Sequence, residues 1–178
     1  SLLMALAMTL SLAACGSKEA EQPKEAEYKL GMGIVVNMDS SKEANAQVDA
    51  TVAAVVLDDA GKIVSCRIDV AQNKMNVADG VVDPAQAFKT KMELGSDYGM
   101  AGYPYSADNN GDGKVLEWNE QAMAFENYVV GKTADEIDAM TTQEVNGHQI
   151  STDDALLSAG CTIQINDFKT AVVKACKD

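Results

Sequence analysis

Residues 47–71 read QVDATVAAVVLDDAGKIVSCRIDVA, and these two β-branched-rich runs with a short polar break between them decide the fold. Val, Ile and Thr lose rotamer freedom in a helix interior and fit a pleated surface instead, so QVDATVAAVVL (47–57) and KIVSCRIDVA (62–71) read as strands. DDAG between them supplies the Asp and Gly that a tight turn needs, which makes the pair an antiparallel hairpin turning at 58–61. In the second strand, alternation puts Val64, Cys66 and Ile68 on one face. Upstream, YKLGMGIVV alternates Tyr28, Leu30, Met32, Ile34 and Val36 with other residues, giving a third strand and a meander.

Helical signals dominate the rest. In VVDPAQAFKTKM (81–92), Asp83 is placed as N-cap, Pro84 at the first helical position, and Phe88 and Met92 four apart. A longer helix is expected from Leu116 to Val130, where Trp118, Ala122, Phe125 and Val129 form one stripe and Gly131 is the stop. Thr133 and Glu136 form a capping box for TADEIDAM, and Thr152 is expected to cap a short helix in TDDALLSA. CTIQI (161–165) alternates as a strand, and Asn166 is expected to cap a helix in DFKTAVVKAC. The expected fold is a single α+β domain, an antiparallel β-meander sheet packed with several short helices.

The N-terminal stretch LLMALAMTLSLAA (2–14) is apolar throughout. It is too short for a span of roughly 20 residues and has no polar face, so it suits the hydrophobic region of an export signal better than a membrane helix or a surface helix. Leu12, Ala13, Ala14 and Cys15 resemble the bacterial lipobox, which implies a diacylglyceryl thioether on Cys15 and cleavage just before it. On that resemblance, residues 1–14 are a removed signal peptide, 15–27 are the lipidated cysteine and a flexible tether (GSKEAEQPKEAE after Cys15), and 28–178 are the folded domain. The chain would then be lipid-anchored on the extracytoplasmic face of the cell membrane.

With 14 Lys and Arg against 27 Asp and Glu, the net charge of −13 argues against nucleic acid as a partner and against anionic lipid headgroups, so lipid on Cys15 is the expected link to the membrane. Once Cys15 is lipidated, Cys66, Cys161 and Cys176 remain, an odd number. Cys66 reads as a small buried hydrophobe. Cys161 and Cys176 are candidates for a disulfide, though spacing does not show their approach. With no CxxC and a single histidine, thioredoxin-like chemistry and a zinc site are not expected.

The sharpest chemical motif is DNNGDGKVLEWNE (108–120). Asp108, Asn110 and Asp112 hold positions one, three and five of a DxNxDG loop, Gly113 holds the turn and Val115 the apolar eighth position. The loop resembles EF-hand and dockerin calcium loops over about a dozen residues. Position twelve is Asn119, so Glu117 or Glu120 would have to supply the charged ligand for Ca2+. The other reading of the stretch is a solvated turn.

A second motif lies near the C-terminus. ALLSAGCTIQINDFKTAVVKA (155–175) resembles the end of the FMN-binding domain of exported electron-transfer proteins, in which a small-residue motif presents a threonine that is esterified to flavin phosphate. DAGKIVSC (59–66) resembles that family's strand-turn-strand. The resemblance implies FMN as cofactor and places Gly160 and Thr162 in its attachment motif, with Cys161 where the family usually has alanine. Ile163 and Ile165 depart from the hydroxyl-bearing residues usual there. GMGIVV, ELGSDYGM, WNEQAMAF and YVVGKTADEI are also similar to segments of exported lipoproteins of Gram-positive anaerobes.

A flavin needs apolar walls for its ring and donors or cations for its phosphate. Tyr98, Tyr103, Tyr105 and Trp118 are the candidate walls, and Lys89 and Lys91 the candidate cations. Trp118 reads equally as core and the lysines as a solvated face. His148, in the turn VNGHQI, has no nucleophile at recognisable spacing, and Glu93 and Asp97 suit capping better than acid/base work. The expected function is therefore a non-catalytic ligand- or cofactor-binding module, FMN-binding for extracytoplasmic electron transfer with a small-molecule ligand or redox partner at the cell surface. The alternative is a calcium-stabilised structural or solute-binding lipoprotein without cofactor.

Overall fold

The computed structural model describes residues 27–43, 45–78, 81–82, 88–102 and 115–178. Strands β1 (Lys29–Asn37), β2 (Asn45–Leu57) and β3 (Ile63–Ala78) form the expected antiparallel meander, and a two-residue β4 (Val81–Val82) pairs with the end of β3. The hairpin closes on Asp58, whose carboxylate accepts from the N–H groups of Ala60 and Lys62, while Gly61 supplies a φ of 71°. Val56 faces Ser65 but Leu57 faces Ile63, so Val64 is the extra residue of a bulge. A bulge resets the alternation. Cys66 and Ile68 are buried as expected, but Val64 is turned to the opposite, exposed side.

β1 departs from the usual one-sided strand, which buries its large apolar row. Leu30, Met32, Ile34 and Val36 face outward, while Gly31 and Gly33 face inward beneath α5 (Asn166–Lys177). The cause is backbone proximity. A Cβ on Gly31 would lie 1.8 Å from the Ala175 carbonyl oxygen, and one on Gly33 would lie 2.0 Å from that of Ala171. The helix rests on the strand backbone itself, and only a residue without a side chain leaves room for it.

The inner face of the sheet is covered by α5 and by α2 (Trp118–Val129). The expected stripe of Trp118, Ala122, Phe125 and Val129 is buried, and Phe168 of α5 joins it with edge-to-face rings 5.7 Å from Trp118 and 5.4 Å from Phe125. Glu126, also buried, closes the edge of β3. Its carboxylate accepts from the Ile68 N–H at 2.7 Å and from Arg67 at 2.8 Å, standing in for a neighbouring strand. After the Gly131 stop, α3 (Ala134–Asp138) begins with the Thr133–Glu136 capping box.

Four local expectations are corrected. Val81 and Val82 are strand, and residues 88–90 lie outside any helix; Asp83 and Pro84 lie outside the described residues, and helix α1 (Lys91–Leu94) starts only after a Thr90–Glu93 capping box. Residues 161–165 form no strand, because their backbone groups are used elsewhere: Cys161 N–H bonds the Leu156 carbonyl, Ile165 N–H bonds that of Gln149, and Thr162 N–H bonds a side chain. Asp153 caps α4 (Asp154–Ser158) in place of Thr152, whose hydroxyl pairs with Thr141. Ile165, not Asn166, is the N-cap of α5, and Asn166 is its first helical residue. The sequence around His148 proves to be a hairpin, β5 (Thr142–Val145) and β6 (His148–Ser151), turned by Asn146 and Gly147, both at positive φ. The described residues form one mixed α+β domain.

Candidate functional site

Of the residues singled out for a cofactor, Trp118 opens α2, Tyr98 lies beside Trp118, Gly160 lies against Leu116, and Gln121 ties Thr162 to the same helix start. Gln121 is 2% exposed and fully satisfied. Its Oε1 accepts from both the Thr162 N–H at 2.9 Å and the Thr162 hydroxyl at 3.1 Å, while its amide group donates to the Leu116 carbonyl at 2.9 Å and to Met100 Sδ at 3.6 Å. One buried side chain thus joins the segment after α4, the entry to α2 and the loop after α1. The sequence did carry a signal for it. Gln121 sits inside the apolar stripe between Trp118 and Phe125, where a polar residue must find partners.

Gly160 lies two residues before Thr162 at a φ of 96°, and a Cβ there would come within 2.3 Å of Leu116 Cδ1. Thr162 is half-buried. Its hydroxyl proton is engaged by Gln121, but the oxygen keeps its lone pairs, so the atom that an ester would use is not consumed by the fold. Esterification would remove one of the two bonds to Gln121 and leave the one from the backbone.

The aromatic and cationic candidates divide. Trp118 is 3% exposed and walled by Phe168, by Tyr98 at 6.5 Å and by the Lys91 ammonium at 5.2 Å, which makes it core rather than a free ring platform. Tyr98 is half-buried beside it, with Lys91 4.8 Å from its centroid. Burial lowers the Lys91 amine to about 8, with the carboxylates of Asp49 and Asp167 opposing the shift. Two acidic neighbours suit Lys91 poorly to neutralising a phosphate, and Lys89 is exposed. Burial also raises Asp167, against a 2.6 Å bond from Asn37. The fit to FMN is therefore met at the attachment oxygen and by one tyrosine wall, and not by a phosphate-binding cation. Tyr103 and Tyr105 lie outside the described residues, as does Cys15.

Of the calcium candidates, Asp108, Asn110 and Asp112 lie outside the described residues too. Glu117 and Glu120 are already occupied. Glu117 caps α2 and accepts from the N–H groups of Met100 and Ala101, and Glu120 accepts from the Glu117 N–H at 2.8 Å. Asn119, at position twelve, has a buried Oδ1 that makes no hydrogen bond among the described residues. Among the described residues, no group of three or more His, Cys, Asp and Glu is placed to hold a metal.

Cys66, Cys161 and Cys176 are all free thiols, so the candidate Cys161–Cys176 pair is not a disulfide here. Burial raises the Cys66 and Cys161 thiols to about 12. Both act as small core residues rather than nucleophiles. His148 is exposed on β6, and Glu93 is spent on its capping box. Among the described residues, no helix is long and apolar enough to cross a membrane.

These features define a small α+β module in which a buried glutamine joins a helix start to a threonine-bearing loop. Among proteins of known description, the chain is similar to one described as a chlorophenol reductase, from the anaerobe Desulfitobacterium hafniense, with 32% identity over 124 residues, covering 60% of this chain. The match takes in 36% of the relative, so the chain spans about a third of its length. No family model matches the chain, and no solved structure matches it.

Proposed function

We propose that this chain is a lipid-anchored extracytoplasmic binding module whose ligand is a flavin mononucleotide esterified through Thr162, serving electron transfer at the cell surface. The carrying observation is the Gln121 clamp. It fixes Thr162 by two bonds, two residues after Gly160, while the Thr162 oxygen retains its lone pairs. The relative described as a reductase puts a similar segment in a redox protein. When bound, the flavin supplies the electron chemistry; the chain's own residues hold its phosphate ester and wall one side of its ring. The test is coexpression with a flavin-transferring enzyme. Wild type should be yellow and stay yellow after denaturation, and Thr162→Val should lose the colour on denaturation; a colourless wild type contradicts the reading.

A second reading, a calcium-stabilised structural or solute-binding lipoprotein without cofactor, is favoured by the Asn119 oxygen, which has no hydrogen-bond partner among the described residues and stands at position twelve of the DxNxDG motif. A cation ligated there would satisfy that oxygen and fix the start of α2. A melting temperature that rises with calcium and falls with chelator, in a colourless protein, selects this reading.

A further inference from the structure

Two of the free thiols approach each other across the core. Gly31 of β1, Val55 of β2 and Cys66 of β3 form one cross-strand row, and Val55 and Cys66 are buried on its inner side. Helix α5 is seated on this same row, because the Ala175 carbonyl lies directly over Gly31. Cys176 is the next residue of α5. It continues the series Phe168, Val172, Cys176, spaced by four along one side of the helix. Phe168 fixes the direction of that side by packing on Trp118 and Phe125, and Cys176, half-buried, packs against the core from its far end.

The strand spacing sets the gap between the two sulfurs. Gly31 and Cys66 stand two strands apart, about 10 Å. Cys176 leans from Gly31 toward β2, where it shares with Leu57 a groove of about 390 Å³ that opens to solvent beside the exposed Lys29 and Lys177. About one strand spacing, ~5 Å, then separates it laterally from Cys66. Because α5 rests on strand backbone at Gly31 and Gly33, it also rides lower over the sheet than a helix held off by side chains. The two thiols feel each other at this range. Burial, then Glu126, then Cys176 raise the Cys66 thiol to about 12 against the opposing Arg67, whereas among the described residues no other thiol contributes to the shift of Cys161.

We infer that Cys66 and Cys176 are a redox pair, closing to a disulfide when a low-molecular-weight disulfide enters the groove and so locking the last turn of α5 to β3. The half-buried Cys176, as thiolate, attacks one sulfur of the external disulfide and expels a first small thiol, leaving a mixed disulfide. The Cys66 thiol then attacks Cys176 Sγ and expels the second. Two protein thiols lose two electrons and two protons, and the external disulfide leaves as two thiols. In the reduced fold Cys66 is a small core residue; the mixed disulfide on Cys176 is the electrophile that it can reach without solvent. A disulfide spans ~4.4–6.8 Å between Cα atoms, so closing it draws the last turn of α5 inward.

Incubation of the purified full chain with oxidised glutathione, followed by non-reducing peptide mapping, tests this. The folded protein should lose two hydrogens and yield one cross-linked pair, the Cys66 peptide with the Cys176 peptide, and dithiothreitol should reverse it. Cys161→Ser should leave the yield unchanged. Cys176→Ser, at a half-buried position, should abolish the link and leave Cys66 unmodified in the folded protein, and Cys66→Val should stop the reaction with one glutathione retained on Cys176. In the cross-linked protein, amide exchange in the last turn of α5 should slow at least tenfold. A wild type that keeps glutathione on Cys176, a link from either cysteine to Cys161 or Cys15, a protein that does not react, or unchanged exchange each overturns the assignment.

Discussion

Replacing Gly33 with alanine adds a single methyl group, and the structure says that it should cost about as much as an ordinary core truncation. The backbone at Gly33 is ordinary strand, with no positive φ, so alanine is conformationally welcome and should even gain about 0.4–1 kcal/mol through the unfolded chain. Sterics oppose it. The new Cβ would stand 2.0 Å from the Ala171 oxygen and 2.6 Å from the Ala175 nitrogen, both helix backbone that cannot rotate away, where ordinary contact begins at 3.4 Å. Helix α5 must therefore lift by about 1.4 Å, the difference between those contacts. A gap of 0.5–1 Å already forfeits a quarter to a half of each dispersion contact, and α5 buries Phe168, Ala171, Val172 and Ala175. We expect a loss of about 3 kcal/mol, the upper part of the range for overpacking, out of a total of roughly 5–15 kcal/mol. Urea unfolding should show a lower midpoint at unchanged slope, while Leu30→Ala, on the exposed face of the same strand, should shift stability by under ~0.5 kcal/mol. A Gly33→Ala protein as stable as wild type would refute the claim that helix backbone rests on strand backbone.

Glu126→Ala should destabilise by about 2–3 kcal/mol, because it leaves the buried Ile68 N–H without an acceptor and opens a void; chemical denaturation reads this directly, and a loss under ~0.5 kcal/mol would mean that the β3 edge is satisfied by other means. Lys91 has a folded value of about 8 against 10.5 unfolded. Above pH 8 the unfolded chain therefore holds a proton that the folded chain lacks, and stability should rise with pH from there until the Cys66 and Cys161 thiols, raised to about 12 from 9.0, reverse the trend above pH 9. Melting curves of Lys91→Met should lack the rise between pH 8 and 9. Gln121→Leu should cost about 2 kcal/mol or more by stranding the Leu116 carbonyl and the Thr162 N–H, and amide exchange at Thr162 should accelerate with it; unchanged exchange would remove Gln121 as the clamp.

The meander and the long helix were legible because their signals are local and redundant. QVDATVAAVVL and KIVSCRIDVA are strand-like by composition, and the stripe from Trp118 to Val129 repeats over several turns. What was not legible depended on partners distant in sequence. CTIQI alternates as well as any strand, but Gln121 and the ends of neighbouring elements take its backbone groups. Val64 leaves its expected face because of a bulge opposite the end of β2. The glycines of GMGIVV could be read as breaks in a strand, yet their role is to admit α5, a helix more than 130 residues away. At the candidate site, Gly160 and Thr162 were legible through resemblance, whereas Gln121 was missed: its place in the apolar stripe signals buried partners, but which partners depends on segments distant in sequence. Trp118 could have been core or cofactor wall, and only its burial decided for core.

The most direct measurement of the central claim is peptide mapping by mass spectrometry of the chain isolated from its native cells. The account predicts a flavin mononucleotide retained through denaturation on the peptide that contains Thr162. An unmodified Thr162 peptide from a colourless protein would contradict it.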